Sequence, residues 1–191
     1  MRNQEISFSN NRGETLTAIL ELPVTGKPVS FALFAHCFTC TENTNTAVNI
    51  SRQLAAANIA TLRFDFSGLG ENMENIHENN FSTNIDDLLS AAKFLESQYS
   101  GPEILIGHSL GGTAAILASS RISSVKALIT LSAPADMDRI SNLILEKRGQ
   151  EEKNLVKVGD TPFIIDKGFM EDLVNYSTKE ILSESRSALL I

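Results

Sequence analysis

The chain has 191 residues, 42% hydrophobic and 20% charged, with 16 Lys and Arg against 23 Asp and Glu for a net charge of −7. That length and balance fit one globular domain with a sizeable core and exclude a disordered or fibrous chain. The acidic balance without any Lys/Arg cluster argues against a nucleic-acid partner, and no apolar run approaches the roughly 20 residues of a membrane span.

The opening MRNQEISFSN carries no signal-peptide stretch, and the two cysteines are too few for a disulfide framework. A cytoplasmic protein in a reducing compartment, with no membrane partner, is expected. EISFSN and TLTAILELP (15–23) then read as an antiparallel strand pair turning at NNRGE. VSFALFAHCF (29–38) is a continuous apolar run of the kind shown by a strand buried on both faces. NTAVNISRQLAAANI follows, with Ala47, Ile50, Leu54 and Ala57 at helical spacing, and IATLRFDF (59–66) is the next strand.

The same beat repeats. NIDDLLSAAKFLESQ (84–98) places Ile85, Leu88, Leu89, Ala92 and Leu95 on one helical stripe and stops before SGP. EILIG (103–107) is a strand, LGGTAAILASSR (110–121) a helix, and VKALITLSAP (125–134) a strand. Strands alternating with helices specify an α/β fold: a mostly parallel sheet with helices on both faces. Residues 137–183 break the rhythm, with an amphipathic helix in DRISNLILEKRG, a solvated EKRGQEEK stretch, a hairpin turn at Gly159-Asp160 and a helix in FMEDLVNYSTKEIL. An excursion of this length is expected to form a lid or cap. The final SALLI reads as the opening of a further buried strand, so a domain over 1–191 that is truncated at its C-terminus is expected.

Within ILIGHSLGGTAA (104–115), Gly-x-Ser-x-Gly falls directly after a strand and directly before a helix. That is the nucleophile elbow, in which a strained turn lifts a serine Oγ above the sheet edge, and Ser109 is the candidate catalytic residue. Gly107 and Gly111 leave room where side chains would meet neighbouring backbone, while Gly112, Ala114 and Ala115 let the helix approach the sheet. The helix N-terminus supplies N–H groups and a positive dipole end where an oxyanion would develop. The Leu110 N–H is one candidate oxyanion donor; the other is the Phe38 N–H, where FAHCF ends an earlier buried strand.

His36 reads as a structural histidine holding the strand end. In RFDFSGLGEN, Gly68 and Gly70 make a tight loop that Asp65 is expected to tie through backbone N–H groups. The third glycine of a dinucleotide fingerprint is missing, so no phosphate cradle and no cofactor is expected. Cys37-x-x-Cys40 lacks the further ligands that zinc needs, so no metal is expected. Thiol or peroxide chemistry at this pair stays open as an alternative, with packing near the nucleophile the plainer reading.

Taken together in order, LFAHCFTC, LRFDFSGLGEN, GHSLGG and APAD resemble the α/β-hydrolase superfamily. HCFTC with RFDFSGLG further resembles the hydrolase half of bacterial proteins in which an α/β hydrolase precedes an OsmC-type domain. The resemblance implies a serine hydrolase of acyl esters or related carbonyl compounds, with a small-molecule acyl substrate as partner and a fused OsmC-type domain in the parent protein. It also implies a Ser-acid-His triad in that chain order, yet no histidine follows Ser109. His36, His77 and His108 do not suit the general base. The acid and the histidine are therefore expected beyond Ile191, with Asp136 a lesser substitute for the acid. An inactive fragment of such an enzyme is the alternative for the chain as it stands.

Overall fold

The computed structural model describes residues 2–36, 41–70, 72, 80–137, 139–141, 155–158, 161–164 and 167–191. β1 (Arg2–Ser9) pairs antiparallel with β2 (Thr15–Leu22) in a register running from Arg2 opposite Leu22 to Ser9 opposite Thr15. Leu16, Ala18 and Leu20 alternate inward along β2, the period-two pattern of a strand with one covered face. β3 (Ser30–Ala35) and β4 (Ile59–Phe64) are buried along nearly their whole length, as parallel strands covered on both faces must be.

Between them α1 (Asn45–Ala56) starts at Thr44, whose hydroxyl accepts from the Ala47 N–H. Its inner face is Ala47, Ser51 and Ala55, with Ile50 and Leu54 on the flank. The expected stripe included Ala57, which instead caps the helix and is exposed, because the helix ends before that position can turn inward.

α2 (Phe81–Gln98) opens with a reciprocal capping box between Asn80 and Thr83 and buries the whole expected stripe from Ile85 to Leu95. β5 (Ile104–His108) and β6 (Ala127–Leu131) flank α3 (Leu110–Ser119), which is buried on every side. β7 (Leu155–Val158) and β8 (Thr161–Ile164) form a separate antiparallel hairpin, with the expected turn residues 159 and 160 outside the described residues. Most of the expected helix in 138–149 also lies outside them.

The run FMEDLVNYSTKEIL divides into α4 (Lys167–Leu173) and α5 (Thr178–Glu184) rather than one helix. Phe169 and Leu173 are buried beside α2, where Phe81 meets the Phe169 and Tyr176 rings edge-on, and Thr178 donates to the Ala135 carbonyl. Two docking sites facing different ways cannot share one straight helix. β9 (Ala188–Leu190) pairs parallel with β6, as SALLI predicts. Its side chains are exposed rather than buried, since among the described residues it is an edge strand with nothing over its faces.

The sheet order is β1-β2-β4-β3-β5-β6-β9, parallel from β4 through β9. The large core, including Leu33, Leu62, Phe64, Leu88 and Leu105, lies under α2 and α3; a small one of Ala32, Phe34, Ala47 and Ile106 lies under α1. The arrangement is the mostly parallel α/β sheet expected from the alternation of strands and helices. β3 connects through α1 to β4 on one side, while β5 lies on its other side, so the chain diverges between β3 and β5. In open α/β sheets a divergence of this kind marks the ligand crevice, outside the carboxyl ends of the strands. Among the described residues no helix is long and apolar enough to cross a membrane.

Candidate active site

Ser109 sits between the last residue of β5 and the first of α3, with φ 54° and ψ −129°. An L-residue at positive φ is strained, and such strain persists where surrounding bonds over-determine it. Here the Ser109 N–H donates to the Leu131 carbonyl at 2.8 Å, and its own carbonyl accepts from Gly112 at 2.8 Å and Thr113 at 3.3 Å. Its hydroxyl does not cap the helix, and the residue is half-buried at the carboxyl end of β5.

The close approach that permits this turn is visible at two glycines. A β-carbon on Gly107 would lie 2.3 Å from the Gly112 α-carbon, and one on Gly111 would lie 2.1 Å from the His36 carbonyl oxygen. The end of β3, at Ala35 and His36, thus packs directly against the first turn of α3. Leu110 is the first residue of α3, and first-turn N–H groups have no acceptor within their own helix. Phe38, Cys37 and Cys40 lie outside the described residues, as does His77.

The other sequence candidates have structural surroundings. His36 is buried, 3.2 Å from an Asp65 carboxylate oxygen, with the Phe66 ring edge-on to it. His108 ends β5 and pairs with Leu131. Asp136 is exposed and its carboxylate accepts from the Arg139 N–H, capping the turn that follows. Asp65 lies against its own loop, since a β-carbon on Gly70 would fall 1.9 Å from it, and it also reaches further than expected. Its Oδ1 accepts from the Glu42 N–H at 2.7 Å, across the crevice edge. The Ser67 N–H of that loop is held by a different carboxylate, Asp87 on α2, at 2.9 Å.

Sequence reasoning missed the buried charges that frame the site. Under α1, Arg63 donates to the Glu42 carbonyl at 2.9 Å and to the Glu21 carboxylate at 3.1 Å. Burial, and then the adjoining Asp65 carboxylate, push the Glu42 carboxyl up to about 8. Its Oε2 is buried and meets no hydrogen-bond donor among the described residues. A second network joins the β1–β2 turn to α2: Asn10 and Arg12 both donate to Asp87, at 2.9 and 2.8 Å. Burial pushes the Asp87 carboxyl upward despite these donors. The available signal was a charge inside an otherwise apolar strand: Glu21, Arg63 and Asp65 each interrupt such a run. Among the described residues no group of His, Cys, Asp and Glu could hold a metal ion.

Comparison with known proteins places this geometry. The family pattern described as "Serine aminopeptidase, S33" matches residues 32–151, which span the crevice, the elbow and the strands between. The esterase domain of a Rhodothermus marinus protein is 39% identical, with a TM-score of 0.77 over 99% of this chain and 75% of that one. Est1E from Butyrivibrio proteoclasticus, solved with ferulic acid bound, superposes with a TM-score of 0.81 at 18% identity, covering 96% of this chain and 76% of its own. A serine hydrolase without a lid from Xanthomonas campestris gives 0.62 at 20% identity, over 71% of this chain and 63% of its own. No curated protein matches the chain. With more than half of its residues inside the family pattern and a parallel sheet turning into a strained Gly-His-Ser-Leu-Gly elbow, the chain belongs to the serine aminopeptidase S33 family of α/β hydrolases.

Proposed function

We propose that the protein is a serine hydrolase of esterase type, acting on small acyl esters or related carbonyl compounds. Ser109 Oγ attacks the carbonyl carbon, and the N–H groups of Leu110 and Phe38 receive the oxyanion as the C=O bond opens. The positive-φ turn at Ser109, at the mouth of the β3–β5 crevice, is the observation that carries this reading. The likeness to the Rhodothermus marinus esterase domain supports it.

The base is a separate matter. None of the three histidines follows Ser109, and in this reading the imidazole that takes its proton, with the acid that orients it, comes from outside residues 1–191. Excursion residues 137–183 serve as the cap that shapes the acyl pocket.

The test is a fluorophosphonate probe and p-nitrophenyl acetate hydrolysis on the full-length polypeptide containing these residues. Label on Ser109, loss of label and turnover in Ser109→Ala, and turnover reduced at least about a thousandfold in residues 1–191 alone are expected. A folded protein that takes no label, or that keeps its activity in Ser109→Ala and loses it in Cys37→Ser, overturns the reading in favour of none or of thiol chemistry.

A further inference from the structure

At the crevice edge one carboxylate touches both flanks of the segment between β3 and α1. Asp65, wholly buried at the end of β4, lies 3.2 Å from the imidazole of His36 at the start of that segment and accepts from the Glu42 N–H, 2.7 Å away, at its far end. His36 in turn is not a bystander to the elbow: its carbonyl oxygen is the atom against which Gly111 packs in the first turn of α3. A continuous chain of close contacts therefore runs from Asp65 through His36 to the residues that follow Ser109.

We propose that Asp65 is a positioning residue for the Ser109 centre: its carboxylate sets the spacing between His36 and Glu42, and through His36 the seat of the first turn of α3. The inference rests on the hydrolase reading above for its catalytic meaning. The 66–72 loop has closing bonds of its own, Leu69 donating to the Phe66 carbonyl, Gly68 to Asn72 and Ser67 to Asp87, and the contacts of Asp65 with His36 and Glu42 reach beyond that loop. Asp65 links the ends of β3 and β4 on the sheet edge that carries Ser109, the nucleophile of the hydrolase reading. Misplacing such an edge by about 1 Å costs on the order of a hundredfold in rate.

The clamp carries its own pH signature. Glu42 and Asp65 are adjacent buried carboxyls and cannot both ionise without strong repulsion. The charged and titratable groups around them are His36 from β3, Arg63 from β4, and Glu21 from β2, whose carboxylate is taken up by Arg63. Asn43 donates to Glu42 Oε1, and the buried residues of α1, Ala47, Ser51 and Ala55, do not titrate. Below about pH 8 Glu42 keeps its proton beside Asp65; above it two adjacent negative charges repel each other across the clamp.

Asp65→Asn and Asp65→Ala in the full-length protein test this in two ways. By NMR, the Asn variant should shift the amide resonances of Glu42, Leu110 and Gly111 while leaving the β1–β2 pairing unchanged; unchanged Leu110 and Gly111 amides overturn the proposal whatever the activity. In ester hydrolysis, kcat should fall about a hundredfold in Asp65→Ala with KM within about threefold, and less in Asp65→Asn, which keeps one acceptor for the Glu42 N–H. An alkaline fall in kcat near pH 8 is expected in the unsubstituted protein and should disappear in the Asn variant. Equal kcat and an unaltered pH profile in a hydrolase labelled at Ser109 overturn the positioning role and leave the hydrolase reading standing. A wild-type protein with no turnover sinks the hydrolase reading, while the amide shifts still decide the clamp.

Discussion

The carbonyl oxygen of His36 occupies the space that a side chain on Gly111 would need: a β-carbon there would lie 2.1 Å away. Neither partner can yield easily, because one closes β3 and the other opens a helix buried on every side. Gly111→Ala should therefore destabilise by about 1–3 kcal/mol, as overpacking of a filled core does. Urea denaturation would show it. The same variant should hydrolyse esters more slowly, since the crevice opens where the two elements part.

Ser109 stores strain, and relieving it should raise stability at the expense of chemistry. The residue holds φ 54°, a conformation that glycine adopts freely. Such strain costs about 1–3 kcal/mol, against about 0.5–1 kcal/mol for the added flexibility of glycine in the unfolded chain. Relief wins, so Ser109→Gly should melt higher than Ser109→Ala by an amount equivalent to about 1 kcal/mol. Equal melting temperatures would count against a strained elbow.

Glu42 predicts how stability varies with pH. Its folded-state value is raised from 4.5 to about 8, so between those limits the folded protein holds a proton that the unfolded chain has released. Its contribution is fully present below about 4.5, declines as pH rises, and is lost above about 8, with a limiting slope of about 1.4 kcal/mol per pH unit. Glu42→Gln presents a neutral donor to Asp65 at every pH. The wild-type urea midpoint should therefore fall between pH 5.5 and 7.5 relative to that of Glu42→Gln, and parallel curves would refute the retained proton.

Asp172 docks α4 on the start of α2. Its carboxylate accepts from the Ser82 N–H at 2.6 Å and from the Ser82 hydroxyl at 2.6 and 2.8 Å, and Tyr176 meets the same hydroxyl at 2.7 Å. A carboxylate facing a helix N-terminus also benefits from the dipole. Asp172→Ala should cost about 1–2 kcal/mol and speed amide exchange in α4 before the sheet exchanges. Uniform protection across both would show that the buried Phe169 and Leu173 hold α4 unaided.

The amino-acid sequence by itself determined the strand and helix alternation, the pairing of the opening strands and the place of the elbow. Those features are local: apolar period sets burial, and only glycine fits beside backbone at 107 and 111. It also marked Ser109 and Leu110 as neighbours, since they are adjacent in the chain. The tertiary structure alone decided that β3 lies between β4 and β5, and hence that His36 meets Gly111. It alone brought Glu42, Asp65, Arg63 and Glu21 into one buried ionic group, and divided the run 169–182 between two helices that dock on different partners. Those outcomes depend on which distant residues meet after the sheet has formed, and the energy of a buried charge is set by its partners rather than by its neighbours in sequence.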